Sequence, residues 1–448
     1  MFLRASPFLP TAGLAHLSSD PQDERTTLVV VSINGSNEKV IAKVPQRDAG
    51  FSDPTWSHDG KLLAVAEYVP GETSLSHLLV VPVDGGPGRR ITSDEYRGIG
   101  EPEWLTDGTG LVATGVLSKL VSNEQFEYED RYPQLWGFPY AGGSPHRITN
   151  DLFRYHGGSS VSADSSLLVT VASDLVSAIW VGPASDPDQA RAVTPLSGHY
   201  VASKGLTWTG AGKIVYWTNA SNAVDLIVMD ADGGNPRPLP RDLPFTAHPD
   251  ACSDGHTLLY TGAYANKCQV MRQDLDGGRP QPLVAGRYPQ CSPDSKWVVY
   301  YDNGENPIPR KISIEGGQPV PLTEHECRRA GISPDGKWVA CVDETEKLAI
   351  IPFSGGKPVK LFDLPPTFDF IPEVPMRWTP DSQSLVYAVD ARGFDNLWAQ
   401  PVEGGPRRAL THFTSQRIYY FAFSHDGKQI AIGRGTPSSD VVLISNFR

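Results

Sequence analysis

Eight aspartates recur along the chain at matching places: Asp59, Asp107, Asp164, Asp254, Asp294, Asp335, Asp381 and Asp426. One of them, in WSHDG (56–60), stands beside a Trp and a His, a setting in which a carboxylate could move protons. Recurrence argues otherwise. A reaction needs one asymmetric site, whereas a tight turn is needed in every structural repeat. Asp followed by Gly supplies the backbone angles of such turns. All eight are therefore read as turn residues.

Other chemical signatures fail on spacing. GISPD at 331–335 puts Asp where a nucleophile elbow needs its second Gly. DADGG (230–234) and DLDGG (274–278) resemble the start of a calcium loop, but positions six and twelve counted from Asp230 are Asn235 and Arg241. HEC at 325–327 could offer two metal ligands, but no partner pair stands nearby. No Walker or dinucleotide fingerprint occurs. The reading is a chain with no catalytic residues, no metal and no cofactor.

Composition bounds the partners. A net charge of −12 over 448 residues argues against nucleic acid and anionic membrane surfaces. No apolar run reaches the 18 residues of a membrane-spanning segment, so membrane insertion is not expected. Prolines at 7 and 10 break the apolar start, which argues against a secretion signal. Five cysteines, an odd number without a CxxC pair, point to buried free thiols rather than a disulfide framework. A soluble chain, cytoplasmic or periplasmic, is expected.

The elements that would position any site come from a repeat. Aligning on Trp-Ser-x-Asp-Gly gives nine copies, anchored at Trp56, Trp104, Val161, Trp208, Cys252, Cys291, Ile332, Trp378 and Phe423. Their spacing runs between 39 and 57 residues, the range of four-stranded propeller blades. Each copy continues into an alternating apolar run ending in Gly-Gly, as in LLVVPVDGG and LAIIPFSGG, and then a short outer strand. One unit thus reads strand A, Asp-Gly, strand B, loop, strand C, Gly-Gly, strand D. The class is all-β: a β-propeller of about nine four-stranded blade-like repeats.

Two arrangements follow. The first is a six- or seven-bladed C-terminal ring with a partial second propeller; the second is one large ring. The first divides the chain into an irregular segment (1–26), a half blade plus two repeats (27–157), and the main propeller (158–448).

SPDGKWVA followed by IIPFSGG resembles the TolB-like propeller repeat, a relative of the WD repeat, and the likeness covers nearly everything from residue 27 on. The last 87 or so residues, from FDLPPTFDF to LISNFR, resemble the C-terminal repeats of large bacterial regulators. In those, a serine/threonine kinase or winged-helix domain precedes the repeats. The resemblance implies a non-enzymatic recognition or scaffold module, the sensor or interaction part of a signalling regulator, with further repeats upstream. The alternative it leaves open is a propeller attached to a peptidase, or a periplasmic TolB-like protein-binding component. Kinase motifs and a helix-turn-helix are missing, so neither activity carries over.

Function is therefore expected in the loops from strand D to the next strand A, where the repeats differ. These carry Arg154, Tyr155, His156, Tyr200, Arg287, Tyr288, Arg328, Arg329, Arg377, Arg417 and Tyr419. Arg and Tyr dominate binding hot spots, and Arg pairs with carboxylate or phosphate. The expected ligand at this channel mouth is a protein or peptide partner with acidic groups, or a small anion. A second candidate is the insert at 117–133, where Phe126, Tyr128 and Tyr132 alternate with acidic residues, read as a loop contacting a protein partner.

Overall fold

The structure is a computed structural model. It describes the chain apart from residues 1–3, 6–12, 21–24, 33, 46–49, 69–75, 94–95, 122–124, 129–131, 197–198, 220–224, 241–245, 265–266, 304–307, 364–374 and 448. The described residues form nine antiparallel sheets and a single short 3-10 turn, Pro187–Gln189. The all-β propeller expectation holds.

The turns form as the sequence dictates. In all eight repeats the Asp carboxylate accepts the backbone N–H two residues on, from Lys61, Thr109, Ser166, His256, Lys296, Lys337, Gln383 and Lys428. In the fullest version the preceding Ser joins in. Ser333 Oγ donates to Asp335 at 2.6 Å and accepts Trp338 N–H at 3.0 Å. Positive φ at Gly336 (71°), and at Gly316 (91°) and Gly317 (119°) in a Gly-Gly turn, explains why glycine stands there.

The chain divides into two compact units. One is Leu175–Pro437, and it is a closed ring of six blades. Five blades take their four strands in order, with innermost strands Leu206–Trp208, Thr246–Ala251, Arg287–Cys291, Cys327–Ile332 and Arg377–Trp378. The sixth is assembled from both ends of the unit. Arg417–Phe423 and the first part of Gln429–Ser445 supply strands A and B, while the latter part of Leu167–Pro183 and Arg191–Ala192 supply C and D. Neighbour contacts pass from blade to blade and return to the first, which closes the ring.

Burial holds each interface. Trp208 is fully buried, and its indole N–H donates to the Ala422 carbonyl of the preceding blade at 3.1 Å. Trp378 does the same toward Gly331 at 2.8 Å. Each such side chain contributes about 1.5–3 kcal/mol by burial, and the indole bond avoids an orphaned donor.

The other unit is Met1–Asp174 with Ser438–Arg448. It holds four blade-like sheets, the last built from Arg154–Val161, the start of Leu167–Pro183 and the end of Gln429–Ser445. Phe447 packs there against Val112, Leu135 and Tyr155. Two differences from expectation stand out. Gly13–Asp20, in the segment read as irregular, is a strand paired along its length with Arg25–Ser32, so 27–41 is no half blade. Residues 158–174, assigned by sequence to the C-terminal ring, lie in the first unit. The repeat pattern locates strands but does not say which strand starts a ring.

The insert is also different. Gly110–Val121 pairs with Gln125–Tyr128, so the expected loop contains a hairpin. Phe126 and Tyr128 lie on its returning strand, and Tyr132 is buried, which removes it from any contact surface.

The cysteines correct another expectation. Cys252–Cys291 joins the innermost strands of two neighbouring ring blades, and Cys327–Cys341 lies within the next blade. Only Cys268 is free. The reading missed that stacked repeats bring positions far apart in sequence side by side. Cys252 in fact takes the place of the turn Ser, since its N–H bonds the Thr257 carbonyl as Ser292 N–H bonds that of Trp297.

Candidate functional site

The innermost strands of the ring converge on its axis, and here the blades differ. Three of them carry a bulge with a non-glycine residue at positive φ: His248 (53°), Tyr288 (55°) and Arg329 (59°). An extra residue in one strand re-aims a side chain. These bulges lie toward the entry end of the channel, where each strand D leads into the next strand A. Two residues further along each strand come Asp250, Gln290 and Gly331, and their counterparts Thr207, Arg377 and Ala422 in the other blades.

At the entry end the His248 and Tyr288 rings are 4.3 Å apart between centroids. The His248 backbone N–H donates to the Lys204 carbonyl at 2.8 Å, but neither ring nitrogen has a partner among the described residues. Burial, then the charges of Lys204 and Arg287, depress its pKa to about 3, so the imidazole is neutral at pH 7. Arg287 packs its guanidinium 5.8 Å from the Tyr288 ring centroid, and its Nε is buried without a partner. Arg329 and Arg328 lie near the buried hydroxyl of Tyr301, which accepts the Ala330 N–H.

The expected site residues therefore separate into groups. Tyr200, Arg287, Tyr288, Arg328, Arg329, Arg377, Arg417 and Tyr419 all belong to the ring, whereas Arg154, Tyr155 and His156 belong to the other unit. There, Tyr155 is buried and donates to Asp151 at 2.7 Å, and His156 bonds Ser173. Within the ring, two arginines are already neutralised. Arg417 Nε donates to the buried carboxylate of Asp395 at 3.0 Å and lies 3.6 Å from Asp390. Arg328 pairs with Glu326 at 3.3 Å and with Glu346. Tyr419 neighbours Tyr200 and Asp395, and burial above all pushes its hydroxyl up to about 12. Counting arginines along the loops overstates the positive charge, because carboxylates pair with them, Glu326 from the same loop and Glu346, Asp390 and Asp395 from elsewhere.

His248 and Asp250 were missed. A signal existed: THPD-like AHPDA (247–251) occupies the slot that RYPQC (287–291) fills one blade on, with the same X-Pro-polar pattern.

The opposite end of the channel, toward the Asp-Gly turns, opens into a cavity of about 400 Å³ to which all six ring blades contribute. Its polar lining includes Asp250, Gln290, Arg377 and His425. Asp250 accepts the Cys291 N–H at 2.8 Å, and burial pushes its carboxyl above the usual carboxylate range despite the charge of Arg377 nearby. Gln290 Oε1 accepts the Ile332 N–H at 3.0 Å. Arg377 donates to the Tyr420 hydroxyl at 3.3 Å.

The loops that looked calcium-like are turns. Asp230 is engaged by Lys213 and by Asn235 at 2.7 Å, which holds its carboxyl below the usual range. Among the described residues no group of three or more His, Cys, Asp and Glu is placed to hold a metal. No helix of the described chain is long and apolar enough to cross a membrane.

This is a β-propeller protein, as its own sheets establish. No protein-family model matches the chain, and no curated protein does. Similar solved structures include TolB from Acinetobacter baumannii, 18% identical over 68% of this chain and 61% of that one, with a TM-score of 0.24. The tricorn protease is 10% identical over 98% of this chain and 63% of that one (TM-score 0.38). A nidogen/laminin complex is 14% identical over 52% and 90% (TM-score 0.40). The chain thus spans less than two thirds of the length of the TolB and tricorn chains.

Proposed function

We propose that the ring is a non-enzymatic recognition module whose channel entry takes an acidic group of a protein or peptide partner. One observation carries the reading. Arg287 and His248 sit side by side at the entry with buried nitrogens that no described residue satisfies. Orphaned buried donors are costly, and a carboxylate inserted there relieves that cost. Tyr288 adds an aromatic surface beside them, and Arg329 comes from the next blade.

The test is fluorescence anisotropy with labelled peptides of graded charge. Acidic peptides are expected to bind, more weakly at high salt, and Arg287→Ala is expected to weaken them at least tenfold. Equal binding of neutral and basic peptides, or no effect of Arg287→Ala in a folded protein, sinks the reading.

A place in a signalling regulator rests on the sequence resemblance alone. The paired cysteines favour a second setting, a protein-binding component of an oxidising compartment, because disulfides persist there and are rare in the cytosol.

A further inference from the structure

The cavity at the turn end of the channel is independent of the entry just described, and its chemistry is of another kind. Two side chains of opposite charge type, Arg377 and Asp250, face it. Arg377 bonds one neutral hydroxyl, and Asp250 accepts one backbone N–H. They lie close enough for each to feel the other, yet among the described residues no ion pair joins Asp250 to Arg377 or to any other cation. Both groups are half-buried, and neither has the ion-pair partner that usually offsets the cost of burial.

The remaining polar groups are also half used. With Gln290 Oε1 committed to Ile332, its amide NH₂ remains as a donor. His425 Nε2 is 2.9 Å from the Trp208 carbonyl and so carries the proton, which leaves Nδ1 as an acceptor. The cavity thus offers a further donor and a further acceptor besides Arg377 and Asp250. Around them the wall is apolar, with Trp208, Trp378, Pro293 and Pro380. A volume of about 400 Å³ lies within the range of small-molecule sites.

A simple anion drawn to Arg377 meets Asp250, and a simple cation drawn to Asp250 meets Arg377. Only a ligand carrying both charges satisfies both. We infer that this cavity binds a free α-amino acid with an apolar side chain, its carboxylate on Arg377 and Gln290, its ammonium on Asp250 and His425, and its side chain against the Trp and Pro wall. The six-fold ring makes such a site possible because each blade supplies one residue at the same depth, and the residue types differ from blade to blade. No bond is made or broken; the role is binding.

Isothermal titration calorimetry with the full chain tests this. Phenylalanine is expected to bind at least tenfold more tightly than N-acetylphenylalanine, which lacks the cation, and than phenylalaninamide, which lacks the anion. Arg377→Gln is expected to weaken phenylalanine at least tenfold. Asp250→Asn, which keeps the acceptor for Cys291 N–H, is expected to reduce discrimination against N-acetylphenylalanine to less than threefold. Arg287→Ala, at the other end, is expected to leave phenylalanine binding unchanged. The idea is overturned if phenylalanine gives no heat at millimolar concentration, or if the two blocked compounds bind as well as it does. Loss of binding in Arg287→Ala overturns it too, since that places the ligand at the entry. The blocked-ligand arms use the unaltered protein, so they decide the matter even where a variant fails to fold.

Discussion

His248 shows how much one backbone angle can set. Its positive φ at a bulge goes with an imidazole packed against Tyr288, where burial and the charges of Lys204 and Arg287 hold it neutral, with a pKa of about 3. An unfolded chain has no such neighbours, and its His titrates near 6.5. Between these values the unfolded state binds a proton that the folded state refuses. Stability from this group is therefore fully present above about pH 6.5 and falls as pH drops toward 3, at up to about 1.4 kcal/mol per unit. Urea unfolding at pH 7, 6 and 5 is expected to show this slope, and His248→Gln is expected to flatten it. An unchanged slope in the variant would place the acid sensitivity elsewhere. The recurring aspartates act in the same sense, but at lower pH. Asp294, held by Ser292 and by the Lys296 N–H, titrates below its ordinary value, so its contribution is lost only as pH falls through that lowered pKa. The two kinds of residue differ in legibility. The turn aspartates could be read from sequence because the same local bond is made eight times. His248 could not be assigned its role, because its neighbours Lys204 and Arg287 arrive from other blades.

At the scale of the strand and blade, local pattern was a good guide and pairing between repeats was not. Period-two apolar runs bounded by Asp-Gly and Gly-Gly gave the strands. The cysteines were read as free because the sequence shows 39 residues between Cys252 and Cys291 and not the packed interface that brings their Cα atoms to 5.3 Å. That link ties two adjacent inner strands, directly beside Asp250 and Gln290, and so stiffens the wall of the cavity. Alkylation of the denatured, unreduced protein is expected to label one cysteine, Cys268, and reduction to expose all five. Five labelled thiols before reduction would remove both links. Replacing Cys252 and Cys291 together by Ser is expected to lower stability by about 2–4 kcal/mol, read as a fall in Tm that reductant no longer deepens at this site.

Across the whole molecule, nine of the ten blade-like units were legible, but the first sheet and the division of strands between units were not. Every blade uses the same unit, so nothing local marks Asp174–Leu175 or Pro437–Ser438 as the places where the chain passes from one unit to the other. Two units with separate cores imply two calorimetric transitions. Phe447 is buried in the first unit's core, so Phe447→Ala is expected to cost that unit about 3–5 kcal/mol and to leave the ring's transition where it was. A shift of both transitions would mean that the units unfold together.

The strand Gln429–Ser445 serves both units, and this has a consequence for the making of the protein. During translation neither unit has its last partner until Gln429–Ser445 has left the ribosome. Through that interval two blades stand with bare edges, in want of backbone partners and open to mispairing. The same arrangement concentrates risk in one place. A protease cut or a premature stop shortly after residue 416 takes strands from both units at once, so quality control meets a molecule that is either finished or doubly open.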